Sequence, residues 1–182
     1  MALILASSSA IRRHMLSAAG VEHEAVKPEV DEAAVKERLG DARMIALYRA
    51  LSSECGTASV AAALQSAGRE VCYPTVVPGD LRLQFRRPSG AFIAGALGIE
   101  EPTGAPVALA AIDLLVVPAI AVDAAGRRLG RGKGHYDATL AAYGGASVAL
   151  VLDSQLVPEV PVGEHDRRVG AVCTETRWVL VL

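Results

Sequence analysis

Two apolar runs of strand length constrain the fold of this chain more than any other feature. Residues 112–118 read IDLLVVP, and residues 147–153 read SVALVLD. A strand that faces solvent on one side alternates apolar and polar side chains, whereas a strand buried on both faces is apolar almost throughout. Such a strand needs a covering layer on each face, and in parallel sheets helices form these layers. We therefore expect a three-layer α/β domain with a mainly parallel sheet and helices on both faces.

A succession of strand, helix and strand supports this fold class. Residues 44–48 (MIALY) predict a strand, and residues 58–67 predict a helix that is capped by Thr57 and stopped by Gly68. A second strand, EVCYP, follows directly. Three such elements within about 30 residues are typical of a right-handed parallel crossover. The remaining predictions are a half-exposed strand at residues 81–87, a loop at residues 90–103, and strands at AVCTE and at the C-terminal RWVLVL.

Composition excludes several functional classes. The 182 residues are 52% hydrophobic and 21% charged, which suits one domain with a sizeable buried core. The net charge of −2 offers no electrostatic footprint for nucleic acid or for an anionic membrane. No apolar run reaches the roughly 20 residues that span a bilayer. The basic residues near the N-terminus follow its short apolar stretch, which is the reverse of a secretory signal. We expect a cytoplasmic protein, a monomer, that acts on a small molecule.

The three cysteines predict neither disulfides nor a zinc site. Cys55, Cys72 and Cys173 are odd in number, far apart in sequence and without a C-x-x-C pair. Free cysteine is among the residues most often buried in proteins. We therefore expect all three to be small core residues.

Residues 117–140 (VPAIAVDAAGRRLGRGKGHYDATL) carry the clearest chemical signal. They begin at the end of a predicted buried strand, where ligands of open α/β sheets bind. Gly130, Gly132 and Gly134 alternate with Arg131 and Lys133, so the backbone can approach an anion closely while two cations point toward the same region. A polyphosphate fits such a loop.

Two polar side chains follow the loop directly. Tyr136 can donate a hydrogen bond or stack on a ring, and Asp137 can hold Mg²⁺ together with phosphate oxygens. The loop is not a Walker A sequence, because a glycine follows Lys133, and its glycine spacing is not that of a dinucleotide fingerprint. On these residues alone, a solvated glycine-rich turn is an equally good interpretation.

The same segment resembles the signature of the 5-formyltetrahydrofolate cyclo-ligases, also called 5,10-methenyltetrahydrofolate synthetases. In that family a Pro-x-x-Ala-x-Asp-x-x-Gly run precedes R-x-G-x-G-x-G, then Tyr or His, and then Y-D. Other segments agree in order, namely IALYRALSSECGT, GREVCYPTV, LRLQF, EEPTG and LDSQLVPEVPVGEHDRRV. The resemblance covers residues 43–182, which fills the usual size of one domain.

The resemblance implies an enzyme that uses ATP and Mg²⁺ to convert 5-formyltetrahydrofolate to 5,10-methenyltetrahydrofolate, with release of ADP and phosphate. In the family, the formyl oxygen attacks the γ-phosphate, and the neighbouring nitrogen then closes the phosphorylated imidate. No enzyme nucleophile is needed. The protein has to align two substrates and neutralise charge on the transferring phosphoryl group.

The resemblance also implies roles for individual residues. It places Arg131, Lys133 and Tyr136 in catalysis, and it gives Glu54 and Tyr136 contacts with the folate. The residues that match the family's ATP-binding loop are Arg128, Leu129, Gly130, Arg131, Gly132, Lys133, Gly134, His135 and Tyr136.

Two carboxylates, Asp137 and Asp166, match positions that the family associates with Mg²⁺. Taken alone, Asp166 in EHDRRV and Glu54 in its polar turn are equally well interpreted as solvated side chains. His135 and His165 lack partners that would make a metal site, so we expect both to pack within their loops.

The first 42 residues depart from this pattern. The cyclo-ligases usually open with basic helices that help to hold ATP, and these are not visible here. LILASSSAIRRHML and the later VDEAAVKERL instead resemble the start of Maf-type nucleotide pyrophosphatases, with Arg12 and Arg13 matching that family's basic pair. We therefore divide the chain into residues 1–42, a strand and a helix that pack on the core, and residues 43–182, the cyclo-ligase-like domain.

Three alternatives follow from this unusual start. Arg12 or Arg13 could replace the missing cations. The chain could be a Maf-like nucleotide pyrophosphatase, although the later motifs of that family are absent. It could also be a remnant that binds nucleotide or folate without turnover.

Overall fold

Strands dominate the parts of the chain that the structure describes. The computed structural model describes residues 3–6, 23–26, 40–51, 54–95 and 98–181. The helices are α1 (Ala58–Ser66) and α2 (His135–Ala142). The strands, in chain order, are β1 (Leu3–Ala6), β2 (His23–Val26), β3 (Met44–Ala46), β4 (Glu70–Thr75), β5 (Gln84–Arg86), β6 (Phe92–Ala94), β7 (Glu100–Pro102), β8 (Pro106–Val107), β9 (Leu114–Val117), β10 (Ala121–Val122), β11 (Arg128–Leu129), β12 (Ala146–Leu150), β13 (Ala171–Cys173) and β14 (Trp178–Leu180).

Parallel strands occupy the middle of an eight-stranded sheet. The strand order is β14-β13-β12-β9-β3-β4-β5-β8. The pairs from β13 through β4 are parallel, whereas β14, β5 and β8 add antiparallel margins. Strand β9 lies between β12 and β3, and all four of its residues are buried. The mainly parallel sheet that the apolar runs predict is therefore confirmed.

Successive residues of the central strands contribute side chains to two separate hydrophobic cores, one on each face of the sheet. The face covered by α1 buries Ile45, Val60, Leu64, Leu114 and Val116. The opposite face, covered by α2, buries Met44, Ala46, Leu115, Val117 and Leu140. Because side chains alternate along a strand, each central strand supplies both cores, which is why it reads as a continuous apolar run. Helices on both faces complete the three predicted layers.

The crossover from β3 through α1 to β4 forms as predicted, with one difference at the start of the helix. Gly68 ends α1 with a φ of 73°, a conformation that glycine adopts without strain. Thr57 occupies the N-cap position, but its hydroxyl does not cap the helix. The hydroxyl donates to the carbonyl of Tyr48 (2.7 Å). The backbone of Thr57 is helical (φ −107°, ψ 0°) rather than extended, as it is at a residue whose side chain caps a helix.

The prediction for one irregular segment was wrong, and one further strand was not predicted. Residues 90–103, expected as a loop, contain the antiparallel pair β6 and β7, in which Phe92 faces Pro102. Residues 23–26, within a charged stretch, form β2, which pairs in parallel with β1. Strands β2, β6 and β7 lack the apolar alternation that signals a strand. The helix predicted within residues 1–42 lies outside the described residues, as do Arg12 and Arg13. None of the described helices is long and apolar enough to cross a membrane.

The cysteines lie where the sequence predicts. Cys55, Cys72 and Cys173 are free and buried. Burial raises the pKa of the Cys55 and Cys72 thiols to about 12, so both stay protonated at neutral pH. They act as small apolar side chains within the core.

Candidate active site

A cavity lies where the chain reverses its direction of travel across the sheet. From β3 the chain moves outward to β4 over one face, and from β9 it moves the other way to β12 over the opposite face. A crevice forms at such a switch point, outside the carboxyl ends of the strands. The cavity here encloses about 240 Å³, and its walls include Tyr48 after β3, Pro74 near the end of β4 and Pro118 after β9.

Every residue between 43 and 182 that the resemblance nominates for binding or catalysis lies on the wall of one cavity. They come from the loop after β3, from the glycine-rich loop between β11 and α2, and from the segment before β13. They are Glu54, Arg128, Leu129, Gly130, Arg131, Gly132, Lys133, Gly134, His135, Tyr136, Asp137 and Asp166. Their shared location supports one binding site, while the role of each stays a prediction.

The glycine-rich loop presents backbone amides to the cavity. Gly132 and Gly134 have φ values of 73° and 72°, a left-handed backbone conformation that residues with a Cβ atom rarely adopt. Gly134 immediately precedes α2. Within the described part of the chain, the amides of Gly132, Lys133 and Gly134 donate no backbone hydrogen bond. Unpaired amides beside a helix N-terminus and a Lys side chain suit a bound anion.

Arg128 is a buried cation that is fixed beneath the loop. Its side chain is 3% exposed, and its Nη2 donates to Asp137 Oδ1 at 2.7 Å. The guanidinium carbon lies 5.9 Å from the ring centre of Tyr136. Its Nε is buried and has no hydrogen-bond partner among the described residues. Arg128 therefore retains a donor for a ligand while Asp137 holds its orientation.

A second ion pair joins two loops across the cavity. Arg131 Nε lies 3.3 Å from Glu54 Oε1, and the amide of Leu51 donates to Glu54 Oε2 at 2.9 Å. The Glu54 side chain is 9% exposed, whereas that of Arg131 is 48% exposed. The sequence assigns Glu54 to folate and Arg131 to phosphate. The structure places the two side chains in contact. A ligand that binds one of them would therefore disturb its ion pair with the other.

Tyr136 connects the site to both cores of the sheet. It is partly buried and packs against the hydrophobic clusters on either face. Burial raises the pKa of its phenol, nearby Glu54 raises it further, and Arg128 lowers it. The phenol therefore stays protonated at neutral pH and acts as a hydrogen-bond donor.

His135 contacts the segment before β5, whereas the sequence predicted that it packs within its own loop. Its Nδ1 lies 2.8 Å from the carbonyl oxygen of Leu81. Thr139 strengthens the same junction, because its hydroxyl donates to the His135 carbonyl at 2.7 Å and accepts from the Leu83 amide at 2.9 Å. These bonds tie the start of α2 to the segment before β5.

Asp123 organises the turn before the loop, a role that the sequence prediction missed. The residue is 1% exposed, and its carboxylate accepts from the amides of Ala125, Arg127 and Val160 and from Arg127 Nε. Burial alone would raise its pKa, but the hydrogen bonds from Val160 and Arg127 outweigh that effect and lower it. The charged carboxylate therefore fixes the β10–β11 turn and the segment that reaches residue 160.

Three cavity residues had no sequence signal as strong as that of the glycine-rich loop. Tyr48, Arg49 and Glu101 line the cavity. The hydroxyl of Tyr48 lies 2.8 Å from the carbonyl of Cys55, so Tyr48 supports the loop that carries Glu54. Only their position after predicted strands or in the EEPTG segment could have indicated them.

The described residues contain no group of three or more His, Cys, Asp or Glu side chains that could hold a metal ion by themselves. Asp137 and Asp166 both line the cavity. The hydrogen bonds to Asp137 from Arg128 and from the Arg167 amide end on Oδ1, and Asp166 Oδ2 accepts from the Gly163 amide. Each carboxylate retains acceptor capacity, which fits an ion that is bound largely by phosphate oxygens.

Comparison with known proteins bears on the same segments. The sequence model described as the 5-formyltetrahydrofolate cyclo-ligase family matches residues 5–175, a span that includes most of residues 1–42. The division of the chain at residue 42 stays a prediction. A 5-formyltetrahydrofolate cyclo-ligase of Mycolicibacterium smegmatis is 34% identical over 151 residues, 77% of each chain. One from Escherichia coli K12 is 32% identical over 145 residues, 75% of this chain and 80% of that one.

Solved structures give the same result. The NMR structure of the Aquifex aeolicus 5,10-methenyltetrahydrofolate synthetase aligns with a TM-score of 0.69 and 26% identity, covering 82% of this chain and 80% of that one. The Mycoplasma pneumoniae 5,10-methenyltetrahydrofolate synthetase aligns with a TM-score of 0.64 over 79% of this chain and 82% of that one. At 17% identity, the second likeness supports the fold alone. Together with the motif and the cavity, these matches show that the chain belongs to the 5-formyltetrahydrofolate cyclo-ligase family.

Proposed function

We propose that this chain uses ATP to convert 5-formyltetrahydrofolate to 5,10-methenyltetrahydrofolate, releasing ADP and phosphate. The observation that carries the proposal is the shared cavity, in which a cationic glycine-rich loop faces walls that include Pro74, Val76 and Ile99. Phosphates match the loop, and a largely apolar wall matches a folate ring. The names of the relatives support the same chemistry.

The proposed reaction needs no covalent bond to the protein. The formyl oxygen attacks the γ-phosphorus of ATP as the bond from that phosphorus to the ADP oxygen breaks. The neighbouring nitrogen then attacks the activated formyl carbon, loses its proton, and phosphate leaves. Holding the two substrates together removes much of the entropic barrier of such a step.

The cations of the site would stabilise charge on the transferring phosphoryl group. Lys133, Arg131 and the loop amides would contact phosphate oxygens, and Arg128 has a free Nε beneath the loop. Asp137 keeps Arg128 in one orientation, so the positive charge is already in place when the reaction begins. Preorganised charge of this kind is the main contribution of proteins to phosphoryl transfer.

Mg²⁺ would be held by Asp137 and Asp166 together with ATP oxygens. Mg²⁺ commonly uses one or two carboxylates plus substrate phosphates, and these two residues meet that requirement. When bound, the ion would neutralise charge on the β- and γ-phosphates. Within the protein, Asp137 then has two tasks, since it also orients Arg128.

One assay tests the proposal. The purified protein is mixed with 5-formyltetrahydrofolate and MgATP, and the absorbance of the methenyl product is followed. We expect product only when both substrates are present, with one phosphate released per product. A remnant would bind without forming product, and a Maf-like pyrophosphatase would release pyrophosphate from nucleoside triphosphates without folate. Either result contradicts the proposal.

A further inference from the structure

The carboxylate of Glu101 differs from the other acidic groups on the cavity wall. Glu54 pairs with Arg131, and Asp137 pairs with Arg128. Glu101 lines the same cavity, but the part of the chain that the structure describes provides it with no cationic partner. Unlike the exposed Asp166, Glu101 is partly buried. A partly buried carboxylate without a cation needs other hydrogen-bond donors.

The side chain of Glu101 is held in place. Its Oε1 accepts a hydrogen bond from the Val76 amide at 3.1 Å, which fixes the carboxylate against the end of β4. It also packs directly on Gly95, where an added Cβ would lie 2.5 Å from the Glu101 side chain. The pairing of Glu101 with Ile93 in the β6–β7 hairpin fixes its backbone. The carboxylate is therefore a preorganised acceptor.

The neighbouring wall carries apolar side chains. Val76 and Ile99 line the cavity beside Glu101. Arg49 also lines the cavity, but its guanidinium pairs with Glu100, and the cations Arg131 and Lys133 belong to the glycine-rich loop. The phosphates of ATP match the loop, so the folate ring is left for the wall that carries Glu101. In an apolar setting, N–H groups of that ring would lose free energy unless an acceptor met them.

We infer that Glu101 binds the pyrimidine edge of the reduced pterin ring and is a specificity-determining residue for the folate. The inference rests on the proposed function. The 2-amino-4-oxopyrimidine edge of a tetrahydrofolate carries a ring N–H beside an exocyclic amino group, which makes two adjacent donors. An ionised carboxylate accepts up to about four hydrogen bonds, so Glu101 can receive both donors while it keeps the Val76 amide. Such charge-assisted pairs are stronger than neutral ones.

Glu101→Gln tests this assignment, and Glu70→Gln is the control. Glu70 is an exposed glutamate that pairs with Arg87, and neither of these two residues lines the cavity. Affinity for 5-formyltetrahydrofolate is measured by calorimetry without ATP. We expect Glu101→Gln to weaken binding about 10- to 100-fold, since a Gln side chain turns one acceptor into a donor. We expect Glu70→Gln to bind within about twofold of the original chain, because it loses only an exposed ion pair outside the cavity.

A folate analogue separates recognition from general damage to the hairpin. The analogue carries a methyl group in place of the 2-amino group, so it lacks one donor. We expect the original chain to bind it more weakly than 5-formyltetrahydrofolate, and Glu101→Gln to bind the two ligands with nearly equal affinity. The KM for ATP and the Tm of the variant should stay unchanged.

Two outcomes would overturn the inference. One is a Glu101→Gln variant that binds 5-formyltetrahydrofolate as tightly as the original chain. The other is an equal loss of analogue binding in both proteins. If the original chain binds the folate but forms no methenyl product, the proposed function fails, and the calorimetric comparison still decides the role of Glu101. If the original chain does not bind the folate, both fail.

Discussion

Lys133 is a loop cation whose effect on ATP use can be measured directly. It lies between Gly132 and Gly134 and lines the cavity. If its ammonium group contacts phosphate, Lys133→Ala should raise the KM for ATP by about 10-fold, because charge-assisted hydrogen bonds contribute roughly 1–3 kcal/mol. Arg82→Ala, which removes an exposed cation outside the cavity, should leave that KM unchanged. An ATP dependence that Lys133→Ala does not alter would remove Lys133 from the phosphate site.

Asp137 can be tested for its two tasks separately. Asp137→Asn keeps the shape of the side chain but removes the charge that pairs with Arg128 and that, in the proposed function, holds Mg²⁺. We expect lower turnover, a higher magnesium requirement and an unchanged far-UV spectrum, measured by titrating Mg²⁺ at fixed ATP. Asp80→Asn, which changes a half-buried carboxylate outside the cavity, is the control. Reduced turnover with an unchanged magnesium requirement would leave Asp137 with the orientation of Arg128 alone.

The sequence predicted which residues share the cavity better than it predicted their partners. Arg128 and Asp137 flank the glycine-rich loop, so their common location follows from a contiguous motif. Their ion pair does not, since Arg128 could not be recognised as buried from the sequence. The pair of Glu54 and Arg131 joins segments 77 residues apart, and only the relative placement of two loops determines it.

At the scale of elements, the β10–β11 turn depends on the buried carboxylate of Asp123. We expect Asp123→Asn to lower the free energy of unfolding by roughly 3 kcal/mol, because its amide nitrogen cannot accept the bonds from Val160 and Arg127. Glu159→Gln removes an exposed partner of the same Arg127 and should cost less than about 1 kcal/mol. Urea denaturation measures both. Equal effects would show that burial of Asp123 contributes nothing to the turn.

The lowered pKa of Asp123 also fixes the sign of its pH dependence. A group with a lower pKa in the folded state stabilises the fold above its unfolded pKa, and this stabilisation is lost as pH falls through the folded pKa. We therefore expect the difference in stability between the original chain and Asp123→Asn to be constant near neutrality and to shrink below about pH 4. A difference that grows on acidification would contradict this account.

Elements with a full apolar signal were predictable, and short elements were not. Strand β9 reads as a buried strand because both of its faces are covered. The β6–β7 hairpin has three residues per strand, and Ile93 is exposed. The hairpin therefore shows neither an alternation of apolar and polar residues nor a buried apolar run that would predict it from the sequence. Its stability comes from contacts distant in sequence, such as the edge-on contact of Tyr73 with Phe92 at 5.4 Å. Tertiary contacts of this kind are invisible to local pattern.

At the scale of the whole molecule, the first 42 residues pose a separate question. We expect Arg12→Ala combined with Arg13→Ala to leave the KM for ATP and the Tm unchanged, because the sequence predicts a helix whose apolar stripe packs on the core. Leu16→Ala, on that stripe, should cost roughly 2–5 kcal/mol. A raised KM for ATP in the double variant at unchanged Tm would show instead that these cations serve the nucleotide. Deletion of residues 1–42 without effect on activity or melting would contradict both roles.

The position of the cavity at the switch point has a consequence for how the protein is made. Its walls run from Tyr48 in the first crossover to Asp166 just before β13. The ribosome therefore releases the glycine-rich loop before the last wall of the site exists, and β9 emerges before β12, the neighbour that covers one of its edges. Nascent chains that end before β12 would expose an edge of β9, and chains that end before residue 166 would lack part of the cavity wall. A ligand of the complete cavity can therefore stabilise the folded state only near the end of synthesis, when strand pairing and site assembly are completed together.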